Sequence, residues 1–357
     1  MNCPIACVLP LAAPRPTSLW WKPCGNLWGN RLADSRGSES SLAGALPEPL
    51  FAQITLIGLG LIGSSLARVI AMRKLAARLV LCDASDAVLG RLRALKLGDE
   101  VTADAGAAVR SADLVILCVP VGASAAVMTQ IAPYLSTGSI LSDVGSVKGA
   151  VVAALAPLLP EGVHLVPAHP VAGTEYSGPD AGFATLFHNR WCIVTPPDGA
   201  APEAVEKVCA FWRAAGSNVE TMTPSHHDLV LAITSHVPHL IAYNIVGTAA
   251  DMEEVTASEV IKFSAGGFRD FTRIAASDPT MWRDVFLYNK DAVLEMLGRF
   301  NEDLAALQRM IRWGDGDGLF DLFTRTRAIR RSIIEQGQET QAADFGRQDH
   351  GQMKPEA

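Results

Sequence analysis

Three glycines, spaced Gly58-Leu-Gly60-Leu-Ile-Gly63, sit between an apolar run, Ile54-Thr-Leu-Ile-Gly58, and a helix expected over Ser64 to Met72. A strand that turns at once into a helix through such a loop leaves few folds open. Gly58 permits the tight turn, Gly60 lets backbone approach a pyrophosphate, and Gly63 lets helix and strand pack closely. The helix N-terminus then offers N–H donors and a positive dipole end to the phosphates. A lone GxGxxG is weak, since a plain glycine turn has the same letters. Here Asp83 ends the next strand twenty residues past Gly63, where an acid can accept hydrogen bonds from both ribose hydroxyls of NAD. No Arg follows it, only Ala84, Ser85 and Asp86. A 2′-phosphate would meet a carboxylate there, so NAD is expected over NADP.

The alternation continues beyond that turn. Strands are expected at Arg78 to Asp83, Asp113 to Pro120, Ser139 to Asp143, Val163 to Pro167 and Trp191 to Thr195, with helices between them. Continuous apolar strands separated by helices predict an α/β fold, a doubly wound, mostly parallel sheet of the Rossmann type covered on both faces. After Pro224 the strand signals stop, and residues 225–335 read as helices. Asp278-Pro279 starts a long one, with Asp as N-cap and Pro at the first helical position. Its apolar residues repeat every seven positions, at Phe286, Val293, Phe300 and Leu307, and again at Leu297, Leu304 and Ile311. That is the seam of a helix packed lengthwise on others. A helical layer without its own sheet is expected to bury surface in a homodimer. The domains are therefore 51–223 for the nucleotide and 224–334 for substrate and dimerisation. Residues 1–50 read as a disordered leader or an upstream start, expected to be dispensable, and 335–357 as a flexible tail.

Composition narrows the classes. Hydrophobic residues are 49% of the 357, and mean hydropathy is +0.21, which excludes a chain disordered throughout. A net charge of −7 leaves no basic excess for a phosphate backbone, so nucleic acid is not an expected partner. Seven cysteines show no CxxC, and Cys82, Cys118 and Cys192 lie in apolar runs, as buried thiols in a reducing cytoplasm would. Two long stretches lack formal charge, Leu114 to Ser142 and Leu229 to Ala250. The first holds Pro120, Gln130 and Pro133, the second His236, Pro238, His239 and Asn244. These suit core segments better than a membrane span.

Four further segments stand in order behind the glycine turn: Asp143-Val-Gly-Ser-Val-Lys148, His169-Pro-Val-Ala-Gly-Thr-Glu175, Ser235-His-Val-Pro-His239 and Gly267-Phe-Arg-Asp-Phe-Thr-Arg273. With them the chain resembles the prephenate/arogenate dehydrogenase family of tyrosine biosynthesis, from about residue 53 to about 333. The resemblance implies a Rossmann domain, a helical dimerisation domain, and NAD(P)-dependent oxidative decarboxylation of prephenate to 4-hydroxyphenylpyruvate or of arogenate to tyrosine. On the nucleotide side the candidate residues are Gly58, Gly60, Leu61, Ile62, Gly63, Asp83 and Pro120.

That reaction needs a group to take a hydroxyl proton, a cation for a side-chain carboxylate, and an aligned nicotinamide. His169 suits the first of these roles. The following proline keeps it extended at the carboxyl end of its strand, and neutral imidazole is basic enough near pH 7. Ser146 reads as N-cap of a helix from Val147 to Leu155; by resemblance its hydroxyl also bonds the reacting hydroxyl. Arg273 is the candidate carboxylate anchor, with a surface ion pair to Asp270 as the plain reading. Thr174, Glu175 and Arg269 are further substrate candidates, with a Glu175–Arg269 pair expected at the pocket mouth. His236 and His239 share a helical face; they lack a third ligand, so no metal is expected, and by resemblance they line the substrate pocket. Pro238 between them predicts a kinked or broken helix. A β-hydroxyacid dehydrogenase has a similar two-domain architecture but uses a helix-borne lysine, for which Asn289-Lys290 is a thin substitute. An NAD-sensing module would need neither His169, Ser146 nor Arg273.

Overall fold

A computed structural model describes residues 49–174, 176–256 and 266–335 of the chain. The leader up to residue 48, the tail after residue 335 and Glu175 lie outside the described residues, and with them the expected Glu175–Arg269 pair. Strand β1 (Phe51–Ile57) is buried at every position but Ala52, as suits the middle of a parallel sheet. It lies between β2 (Ala76–Cys82) and β4 (Leu114–Leu117). With β3 (Glu100–Thr102), β5 (Ile140–Asp143) and β6 (His164–Leu165) they form a six-stranded sheet of order β3-β2-β1-β4-β5-β6, every pair parallel. The order reverses between β1 and β4, the switch point where ligands lie in such sheets.

Helices α1 (Leu61–Arg73), α2 (Asp86–Ala94), α3 (Ala105–Ala108), α4 (Ser124–Ile131), α5 (Gly149–Leu155) and α6 (Pro202–Ala215) cover the sheets. On one side Leu66 and Ile70 of α1 pack with Ile54, Leu56, Phe211 and Trp212. On the other, Val115 and Leu117 meet Met128, Ile131, Val151 and Leu155. Trp212 is fully buried and meets the rings of Phe187 and Phe211 edge-on, each 5.4 Å away at 75°. Full burial of a side chain such as Phe187 contributes about 1.5–3 kcal/mol.

The strands at the end of the series do not extend the large sheet. β7 (Ala168–Pro170), β8 (Trp191–Val194) and β9 (Asn218–Thr221) form a second sheet, antiparallel between β7 and β8 and parallel between β8 and β9. The ladder of the large sheet ends where Val166 N–H donates to the Leu141 carbonyl, and the Pro167 carbonyl already accepts Thr195 N–H of the segment that follows β8. β3 and β9 had no apolar run to announce them.

The described residues from Pro224 on are helical. α7 (Pro224–Leu231), a π-helical turn (Ala232–His236) and α8 (Val237–Thr256) form one run. Pro238 does not end the run. Instead the winding widens just before the proline, so that Val237 N–H reaches back to the Ala232 carbonyl; such turns gather at functional sites. The run Pro224–Met252 is long and apolar enough to cross a membrane by length and composition, yet His227, Asp228 and His236 on its inner face are buried and bonded within the protein. After α9 (Gly266–Thr272) and a 3-10 turn (Arg273–Ala276) come α10 (Pro279–Tyr288), α11 (Lys290–Trp313) and α12 (Gly316–Glu335). Asp278 caps α10 as expected, its Oδ1 accepting Met281 N–H at 2.8 Å. The single long helix expected from Pro279 is in fact two, broken at Asn289 (φ −108, ψ 30). Of the seam, Val293 packs on Ala232 and Val237 beside Met296, which lies off the repeat, while Leu304 and Ile311 are exposed.

Candidate active site

The glycine turn lies at the carboxyl end of β1, beside the segment that leaves β4. Gly58 has φ +93, and a Cβ there would stand 2.9 Å from the Cys118 backbone. A Cβ on Gly63 would stand 2.1 Å from the Gly58 carbonyl oxygen, whereas one on Gly60 would meet nothing within 4 Å. So Gly63 closes helix on strand, and Gly60 leaves open space in front of α1. No side chain caps α1, so the N–H groups of its first turn, at Leu61, Ile62 and Gly63, have an anion as their natural acceptor. Asp83 accepts Leu59 N–H at 2.8 Å on Oδ2 and Ser85 N–H at 2.9 Å on Oδ1. A carboxylate has about four acceptor sites, which leaves room for two ribose hydroxyls. Pro120 is exposed where β4 gives way to a turn, its carbonyl accepting Ala123 N–H. The cradle fits a dinucleotide.

A buried polar cluster joins the sheet domain to the helices. His169 is extended in β7, 7% exposed, and its Nδ1 lies 2.8 Å from Nε2 of His227 on α7. His227 Nδ1 lies 2.8 Å from Asp228 Oδ1. The two oxygens of Asp228 also accept the N–H groups of Lys148 and Gly149, each at 2.8 Å. Lys148 is fully buried, paired with Asp143, and donates from Nζ to the Ala168 carbonyl next to His169. Asn289 Nδ2 donates to the Asp228 carbonyl at 2.9 Å and, at 3.0 Å, to Nδ1 of His236. The helix break at Asn289 therefore turns its amide into this cluster, while its neighbour Lys290 points away, 65% exposed.

Burial holds the histidines neutral. The His169 pKa lies well below 6.5, first through desolvation and then through His227, Lys148 and His236. Burial likewise lowers His227, with Lys148 acting the same way and Asp228 opposing. His236 is pushed down to about 4 by burial, against the pull of Asp228.

Of the other candidates, Ser146 is half-buried in the segment between β5 and α5. It is not the N-cap of α5: the helix starts at Gly149, and Asp228, from eighty residues away, serves its first N–H groups. His239 donates from Nδ1 to the Ser235 carbonyl at 2.8 Å and stacks on Trp282, ring centroids 3.7 Å apart. Its pKa is lowered by burial and by Arg273, which places the half-buried Arg273 guanidinium in its field. Arg269 is exposed on α9, and Thr174 is exposed in the loop after β7. Sequence reasoning missed His227, Asp228 and Trp282, and it weighed Asn289 only beside Lys290. Two polar letters at a helix start gave no signal of their partners, 58 and 80 residues away in the chain.

Residues 66–221 match the family described as prephenate dehydrogenase, nucleotide-binding domain, and residues 223–325 the prephenate dehydrogenase dimerization domain. The chain is 44% identical over 284 residues to a cyclohexadienyl dehydrogenase of Zymomonas mobilis, covering 80% of this chain and 97% of the relative. It is 34% identical to a prephenate dehydrogenase of Bacillus subtilis, covering 78% of this chain and 76% of the relative. A crystal structure of Aquifex aeolicus prephenate dehydrogenase with hydroxyphenyl propionate and NAD+ superposes with a TM-score of 0.73 at 31% identity, covering 79% of this chain and 98% of that one. Synechocystis arogenate dehydrogenase superposes with a TM-score of 0.68 at 26% identity, covering 79% and 99%. With both of its parts matched in order, on a fold and a glycine cradle that agree, the chain belongs to the prephenate dehydrogenase family.

Proposed function

We propose that the chain catalyses the NAD-dependent oxidative decarboxylation of prephenate to 4-hydroxyphenylpyruvate, of arogenate to tyrosine, or of both, as a cytoplasmic step of tyrosine biosynthesis. The observation that carries this reading is His169: extended, buried and held neutral beside a second histidine, in a chain of this family whose glycine cradle fits a dinucleotide. Bound NAD supplies the hydride acceptor. As hydride leaves the ring carbon that bears the hydroxyl, His169 takes the hydroxyl proton at Nε2, the nitrogen His227 does not engage. Loss of CO2 from the opposite carbon makes the ring aromatic, and the proton returns to the phenol oxygen, so none is consumed overall. Ser146 bonds the same oxygen. Arg273 holds the side-chain carboxylate, His236 and His239 wall the pocket, and Thr174 and Arg269 stand at its mouth. Purified protein with NAD and each acid in turn should produce NADH, read by absorbance; no NADH with either acid sinks the reading.

Asp83 sets the choice of nucleotide. Its carboxylate would repel a 2′-phosphate, so turnover with NAD should exceed that with NADP, and Asp83→Ser should narrow the gap. Equal or better turnover of the unaltered enzyme with NADP would show that Asp83 does not discriminate.

The domains divide at residue 223, with the helical part forming a homodimer. Only 28% of the apolar window in the helical run Pro224–Met252 is buried within one chain. Ile311, Phe320, Phe323 and Ile329 on α11 and α12 are each more than half exposed, apolar side chains of the kind that interaction sites use. Light scattering should report a dimer, and a stable, active monomer would contradict it. Among the described residues Cys82, Cys118, Cys192 and Cys209 are free thiols, in keeping with a reducing compartment.

A further inference from the structure

We propose that His227 and Asp228 are positioning residues that hold His169 in the tautomer carrying its proton on Nδ1, leaving Nε2 free to take the substrate's proton. The inference rests on His169 being the base and adds what makes it one. Oδ1 of Asp228, which faces His227, already accepts Lys148 N–H, and Oδ2 accepts Gly149 N–H, so the carboxylate meets His227 as an acceptor. The His227 proton is therefore on Nδ1. A neutral His227 then presents a bare Nε2, which accepts the Nδ1 proton of His169 across 2.8 Å. Each bond dictates the next, and the last free lone pair in the chain is His169 Nε2.

The alternative is specific. A doubly protonated His227 would donate from Nε2 and force the His169 proton onto the wrong nitrogen. Its surroundings oppose that state: His227 is fully buried, and besides Asp228 it faces Lys148, Asp143, His169 and His236. Desolvation outweighs the two acids, so His227 stays neutral. The backbone donors of α5 and the Asn289 amide, which grips the Asp228 carbonyl, hold Asp228 in place. One carboxylate thus aligns the base and ties α7 to the sheet domain.

The test is nuclear magnetic resonance of the full chain with nitrogen-labelled histidine, saturated with NAD and without substrate, above neutral pH. His169 is expected as the Nδ1–H tautomer. His227→Phe keeps a ring in the space but cannot accept; it should shift His169 towards the Nε2–H tautomer and lower kcat about 10-fold, the value of one buried neutral hydrogen bond, with KM little changed. His227→Gln, whose amide oxygen can accept from Nδ1–H, should keep the tautomer and more of kcat than the Phe variant. An Nε2–H tautomer in the unaltered enzyme overturns the proposal, as does an unchanged tautomer in His227→Phe. Should that variant fail to fold, the unaltered enzyme and His227→Gln decide. If His169→Asn keeps full kcat, the reading of His169 as base fails instead, whatever its tautomer.

Discussion

Replacing His169 with Asn is expected to lower kcat by about 10²–10⁴-fold, the usual value of general-base assistance, while substrate still binds. The side chain sits where β7 pairs with β8, so a smaller polar residue can occupy the strand without unpairing it. The pH profile gives the second readout. Only neutral imidazole accepts the proton, and burial with nearby His227, Lys148 and His236 lowers the His169 pKa well below 6.5. The rate should therefore hold through neutrality and fall only as pH drops through that lowered value. In His169→Asn this acidic limb should vanish. A variant that keeps near-normal kcat, or the same limb, would assign the base to another group. Ser146 could not take over, since an alcohol is not basic enough at neutral pH. The fold itself responds to acid in the same direction. His169, His227, His236 and His239 all have lowered pKa values, so below about 6.5 the unfolded chain binds more protons than the folded one. Stability is full above that pH and declines below it, and circular dichroism at each pH separates unfolding from the kinetic limb.

Arg273→Gln should raise KM by about 10–150-fold, the worth of a charge-assisted contact of roughly 1.5–3 kcal/mol, with a smaller fall in kcat. Arg273 is half-buried at the start of the 3-10 turn after α9, where a planar guanidinium can meet a carboxylate with two parallel bonds. Its charge also depresses the pKa of His239, so the variant should raise that pKa, measurable by resonance titration. Unchanged KM with a collapsed kcat would move Arg273 from binding into the chemistry. A His239 titration unchanged in the variant would show that the two side chains do not share the pocket.

Much of the architecture was legible in the letters, because it depends on local rules. The glycine turn needs residues without a Cβ, and Gly58 and Gly63 indeed leave no room for one. Apolar runs buried on both faces mark parallel strands, and Asp278-Pro279 marks a helix start, which Asp278 caps. Those features are set by a few neighbouring residues. What failed to read was set at long range. The split into two sheets rests on pairings between segments far apart in the chain, β7 with β8 and β8 with β9. The break at Asn289 interrupts a good helical pattern so that one amide can reach Asp228 and His236. Ser146 looked like a helix cap, but Asp228 fills that place. His227 and Asp228 follow Pro224 as ordinary polar residues of a first helical turn, and only the docking of α7 on the sheet domain removes them from water. Once buried, each polar atom must find a partner or cost about 1–3 kcal/mol. That requirement, which acts only in the folded chain, lines up Asp228, His227 and His169.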